Sequence, residues 1–177
     1  KGYWDDHGYI AEDVNLALEI DLRYKNSYSY DAASTKKIFE NYFAEAQADR
    51  YVHGVGISNE NFCFNWHGGI DVTEKARRLH DIFADGTQVI VVLRKQTALI
   101  ESLYKESIRF GYAGKFAEYL KYIWQYRERN FFHHFNFTKV IDTYSKLFGA
   151  NNLHILFFEH FQEEHEAFLA KLSAALQ

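Results

Sequence analysis

An arginine at the end of a long apolar run is costly to bury unless an anion meets it, and Arg94 directly follows Gln88-Val-Ile-Val-Val-Leu93. Its planar guanidinium fork can grip a phosphate through two parallel hydrogen bonds. Ser102 lies eight residues later, and its hydroxyl could donate to the same anion from the second turn of the helix expected there. Each residue also has a plainer reading, Arg94 as a salt bridge to Glu101 or another acid and Ser102 as a serine on a solvent face. Lys75, Arg77 and Arg78 form a second basic cluster early in another expected helix. A solvated helix face is the first reading of that cluster, and contact with an acidic or sulfated molecule is the second. His133-His134 invites a metal, but adjacent side chains diverge on regular structure and no His or Cys lies at ligand spacing, so no metal is expected.

The elements that must carry these residues follow from periodicity. Residues 88–93 read as a strand buried on both faces of a parallel sheet, and Leu99, Ile100, Leu103, Tyr104 and Ile108 mark the helix after it, ending near Gly111. Earlier, residues 1–30 read as loop and short helix. A helix over 34–47 is opened by Ser34, and a strand over 51–57 runs into the loop 58–69. The helix after that loop has Asp71 and Glu74 at capping-box spacing. Later come a helix over 115–129, another over 137–148 closed by Gly149, a strand over 153–158 ending at Glu159, and a terminal helix through Phe168, Leu169, Leu172 and Leu176. Strands separated by helices predict an α/β fold, a three-layer parallel sheet flanked by helices. In such a sheet ligands bind beyond the carboxyl ends of the strands, where Arg94 falls.

Composition bounds the answer. A chain of 177 residues fits one domain, and 47% hydrophobic residues with 16 Phe, 13 Tyr and 3 Trp supply an aromatic-rich core. A net charge of -4 argues against a general nucleic-acid binder. The single Cys63, between Phe62 and Phe64, excludes an internal disulfide, reads as a small buried thiol and points to a reducing, cytoplasmic compartment. No apolar run approaches the ~20 residues of a membrane span, and no basic-then-apolar leader is seen. The absence of any Pro or Met predicts a fragment of a longer chain, since Pro alone averages ~5% of residues.

The segment VIVVLRKQTALIESLYKESIRFG resembles the 3′-phosphate-binding motif of sulfotransferases that use 3′-phosphoadenosine-5′-phosphosulfate, PAPS: a hydrophobic strand, an Arg, and a Ser eight residues on. Gln96 stands where the commoner version has Pro, and the form Arg-x-Gln with a later Ser-x-Tyr looks like a bacterial branch. The stretch YSKLFGANNLHILFFEHFQEEHEAFLAKLSAAL is similar to the family's later block of helix, Phe-Gly, strand, Glu and helix. The resemblance covers roughly residues 51–176, with 1–50 a variable N-terminal part, and implies a P-loop NTPase-like sulfotransferase fold. It assigns the 3′-phosphate of PAPS to Arg94 and Ser102. The family's Gly-rich, Lys- and Thr-containing 5′-phosphosulfate loop has no counterpart. Gly68-Gly69 is followed by Ile70-Asp71 without a Lys and reads as an ordinary turn, and the C-terminal Gly-rich nucleotide segment is also missing. The expectation is an incomplete domain that transfers no sulfate by itself.

For the implied reaction, sulfuryl transfer to a hydroxyl of a carbohydrate or small molecule, a base must take the acceptor's proton. Glu60, at the carboxyl end of the strand expected over 51–57, is the first candidate and His67 the second; a loop carboxylate capping a backbone N–H is the plainer reading of Glu60. Tyr119, Tyr122, Trp124 and Tyr126 pack a core or line an acceptor cleft. Two other functions stay open: a non-catalytic nucleotide-binding or interaction module of the same fold, and another nucleotide-dependent transferase such as a kinase.

Overall fold

The computed structural model describes residues 12–52, 54–63, 69–83, 86–128 and 135–176. A short helix α1 (Glu12–Leu16) runs into a π-helical turn, Ala17–Asp21. Helix α2 (Ala32–Gln47) is opened by Asp31, whose carboxylate accepts from the Ala33 and Ser34 amides, so the cap lies three residues before the expected Ser34. An ionised carboxylate satisfies two of the four orphan N–H groups at once, where a serine hydroxyl is the weaker acceptor.

Residues 54–59 form no strand. The apolar positions expected over 51–57 are interrupted by Gly54 and Gly56, which have no side chain to pack on a pleated surface. The chain leads instead into a 3-10 turn, Glu60–Phe62. Helix α3 (Val72–Phe83) follows with Asp71 as its cap, the carboxylate accepting from the Glu74 amide at 2.9 Å.

Strand β1 (Val89–Leu93), helices α4 (Gln96–Arg109), α5 (Phe116–Gln125) and α6 (Phe137–Phe148), and strand β2 (Leu153–Phe157) complete the βαβ pattern, and α7 (Phe158–Glu163) and α8 (His165–Ala175) end the chain. Gly149 closes α6 at φ 89°, a conformation that disfavours a Cβ. β1 and β2 pair in parallel with Val89 opposite Leu153 and Leu93 opposite Phe157. Among the described residues the sheet holds these two strands. β1 is not buried on both faces: Val91 and Val92 point to opposite sides of the strand, and Val91 is enclosed while Val92 is half exposed. β2 stops at Phe157, one residue short of the expected end, and Phe158 already begins α7.

The main core lies where α2, α3 and α6 meet. Phe39, Ala76, Leu79, Ile82, Val140, Tyr144 and Phe148 pack there with Val14, Leu18 and Leu22 from the N-terminal turn. Phe39 meets Phe83 edge-on at 5.3 Å between ring centroids, an arrangement that adds to its area burial. Val89 and Leu153, the first residues of the two strands, also pack against this core and anchor the sheet's amino end. A separate cluster joins α4 and α5, with Tyr119 and Ile123 buried against Ile100, Leu103, Tyr104, Tyr112 and Tyr126. Among the described residues no helix is long and apolar enough to cross a membrane.

Candidate functional site

The register that sets Leu93 opposite Phe157 places Arg94 and Phe158 side by side just past the ladder. The Arg94 guanidinium lies 5.3 Å from the centroid of the Phe158 ring. It makes no ion pair with any described residue, and Glu101 is instead bound to Lys105 at 2.8 Å. One residue further on, the Lys95 amide donates to Glu159 Oε1 at 2.9 Å. That bond ties the end of β2 to the start of α4, since Lys95 is the residue before the first helical turn. It is also the main reason the Glu159 carboxyl is held below the usual carboxylate range, with the Lys95 and Arg94 charges adding to it. The Gln96 side chain donates to the Phe135 carbonyl at 2.7 Å and pins the same helix start from another side.

Arg94 thus stands beside the amino end of α4, where the first backbone N–H groups point out of the helix and the dipole favours negative charge. Ser102 is half-buried on the second turn of that helix, roughly 9 Å along the axis from Gln96 at 1.5 Å per residue. A guanidinium without a carboxylate partner, helix-terminal amides and a hydroxyl on the same helix are the groups that hold a phosphate. Glu159 was visible in the sequence only as the end of a strand, and its bond to Lys95 needed the parallel register to be seen.

Comparison with known proteins bears on this corner. No family model matches the chain, and no curated protein matches it in sequence. A solved sulfotransferase structure from Alicyclobacillus acidocaldarius superposes with a TM-score of 0.57 at 17% identity, over 79% of this chain and 55% of that one. The two share a fold. At that identity the likeness speaks for the architecture, and this chain spans about half the length of the protein it matches.

Within this sulfotransferase-like fold the other candidates are dispersed. Glu60 is exposed at the start of its 3-10 turn. It does not cap a backbone N–H: Asn59 does, its side chain accepting from the Asn61 amide at 2.9 Å. No described hydrogen bond or ion pair joins Glu60 to Arg94 or Ser102. His67 and the His133-His134 pair lie outside the described residues. Among the described residues no three His, Cys, Asp or Glu side chains converge as a metal site would need.

The basic cluster of α3 is not a solvated face. Lys75 and Arg78 are 1% and 0% exposed. They fall at helical spacing with Val72, Ala76, Leu79 and Ile82 and so share the inward stripe, a signal already present in the sequence. Arg78 donates from Nε to Glu74 Oε1 at 3.0 Å and from Nη1 to the Asp21 carbonyl at 2.6 Å. Its guanidinium also lies 4.1 Å from the centroid of the Tyr30 ring, and burial pushes the Tyr30 hydroxyl up to about 12. Lys75 donates from Nζ to the Asn61 carbonyl at 2.9 Å. Burial first, and then the Arg23 charge, brings its ammonium down to about 8. Only Arg77 stays at the surface, paired with Glu74 and Asp81. Cys63 packs against the main core, as a small buried thiol should, and burial raises it to about 11.

Of the α5 aromatics, Tyr119 is buried and hydrogen-bonded from Ser107, whereas Trp124 is largely exposed and lies under the Arg127 guanidinium at 4.3 Å. The two halves of the question raised by their spacing therefore divide by helix face. Tyr119 packs a core, and Trp124 does not.

Proposed function

We propose that the chain is part of a sulfotransferase that moves a sulfuryl group from PAPS to a hydroxyl of a carbohydrate or small-molecule acceptor. The observation that carries this reading is the corner at the carboxyl ends of β1 and β2, where Arg94, free of any described carboxylate partner, stands beside the amino end of α4. Likeness of fold to a sulfotransferase supports it.

In this reading Arg94 and Ser102 hold the 3′-phosphate and so fix the donor, whose chemistry is to release its sulfuryl group with a bisphosphate as leaving group. The acceptor oxygen attacks sulfur in line, an O–S bond forms as the S–O bond to the 5′-phosphate breaks, and the acceptor's proton passes to a carboxylate. Glu60 is the base proposed, with His67 second. Glu159 orients the start of α4 through the Lys95 amide and leaves the guanidinium of Arg94 for the ligand.

Titration with adenosine 3′,5′-bisphosphate followed by calorimetry tests this. Binding by the parent chain that is lost in a folded Arg94→Ala variant supports the assignment, and equal binding by both refutes it. A second reading, a nucleotide-binding module without transfer chemistry, is favoured by the lack of any described link between the Glu60 turn and the Arg94 corner. It is separated from the first by sulfate transfer in a chain that binds the bisphosphate.

A further inference from the structure

We infer that Lys75 and Tyr144 are positioning residues that grip two successive carbonyls of the Asn59–Phe62 turn and so fix the direction in which Glu60 is presented. The inference rests on the reading above only in giving Glu60 a role; the grip itself stands on geometry. Lys75, from α3, donates to the Asn61 carbonyl at 2.9 Å, and Tyr144, from α6, donates to the Phe62 carbonyl at 3.0 Å. Both side chains are all but sealed from solvent. The turn closes on itself through the Phe62 amide and the Asn59 carbonyl at 3.2 Å, and Asn59 reaches Glu19 at 3.5 Å. Three separate elements thus hold a turn of four residues whose one exposed, charged side chain is Glu60.

Stability alone does not account for this arrangement. A buried ammonium is expensive, and a methionine of similar length would fill the space without that cost. What methionine cannot supply is a donor for the Asn61 carbonyl. Tyr144 is the parallel case: phenylalanine would fill the same core slot beside Phe148 but would leave the Phe62 carbonyl unheld. Each residue therefore carries one polar atom beyond what packing requires, and both atoms reach the same turn, the Tyr144 hydroxyl also meeting the Cys63 thiol that follows it.

The test is residue-resolved amide exchange and backbone chemical shifts of the folded chain, for Lys75→Met and Tyr144→Phe. Both variants should speed exchange at Asn61 and Phe62 by roughly two- to tenfold, the scale of one lost hydrogen bond, and should shift the Glu60 resonance while α3 and α6 amides keep their protection. Exchange at the turn that is unchanged, or that rises only in step with the helices, overturns the inference. Tyr144→Phe removes a single oxygen and decides the matter by itself if Lys75→Met does not fold. Bisphosphate binding, measured in parallel, should be the same in both variants as in the parent. A turn that loosens while Arg94→Ala leaves binding unaltered would sink the donor-site reading and keep the grip; a turn that stays ordered sinks the grip whatever Arg94→Ala does.

Discussion

Two groups of cations in this molecule sit in opposite circumstances. On α3, Lys75 and Arg78 point into the core, and their donors are directed to the Asn61 carbonyl, Glu74 and the Asp21 carbonyl. At the strand ends, Arg94 rests on an aromatic ring and forms no ion pair with a described acid, although the Glu159 carboxylate lies close enough to feel its charge. The first group is taken up by partners inside the fold, and the second has no such hydrogen-bonded partner among the described residues. Count and charge do not separate them. Helical spacing does for the first, and the end of a parallel strand does for the second.

That contrast gives a crossed expectation. Arg78→Met should cost about 1–3 kcal/mol of stability, because the Asp21 carbonyl loses its buried donor while Glu74 keeps Arg77, and should leave bisphosphate affinity of the folded fraction as it was; urea unfolding and calorimetry measure the two. Arg94→Ala should do the reverse, weakening bisphosphate binding by roughly 10- to 100-fold, the worth of charged hydrogen bonds, with a midpoint of unfolding close to the parent's. If both variants lose stability alike, the division between the two groups fails.

The pH dependence of stability sharpens the same comparison. Lys75 is brought down from 10.5 to about 8 in the folded chain, so between those values the unfolded chain binds more protons and stability rises with pH. Cys63 acts against it, raised from 9.0 to about 11, so its contribution is complete below pH 9 and is lost as pH climbs through 11. Stability should therefore increase by about 1 kcal/mol from pH 8 to 9 and then level off. Lys75→Met should abolish the rise and Cys63→Ala the levelling, both read from urea midpoints across pH 7.5–9.5, below the range in which Tyr30, Tyr119 and Tyr144, also raised by burial, draw stability down.

The smallest effect concerns Glu159, whose carboxylate lies near the Arg94 charge. Glu159→Gln keeps an oxygen for the Lys95 amide and removes the negative charge, so bisphosphate binding should tighten by roughly two- to fivefold, the worth of an exposed charge pair. Weaker binding would mean that the carboxylate's charge, and not only its oxygen, is needed to set the start of α4.

Much of the framework was legible in the sequence. α3 and α6 were plain from apolar period, their ends from Asp71 and Gly149, and β1 from its unbroken apolar run. The parallel relation of the strands followed from the helices between them. Other features depended on facts that no local window holds. The run 51–57 has strand-like composition, but Gly54 and Gly56 interrupt it and leave less side chain to pack on a pleated surface. Val92 is half exposed because of what lies beside the strand, not because of its own type. The burial of Lys75 and Arg78 was written in their spacing with Leu79 and Ile82, but their charge argued more loudly for the surface. Of the candidate site, Arg94 and Ser102 could be named from sequence, whereas the bond between Lys95 and Glu159 could not.

That last bond spans 64 residues of chain. Nothing in α4 alone can supply it, and neither strand can be in register without the other. Closing a loop of that length sacrifices chain entropy before any contact repays it. On a ribosome, the segment bearing Arg94 has emerged long before Glu159 exists to meet it, so the corner where the two strands end is among the last parts of the molecule to take shape.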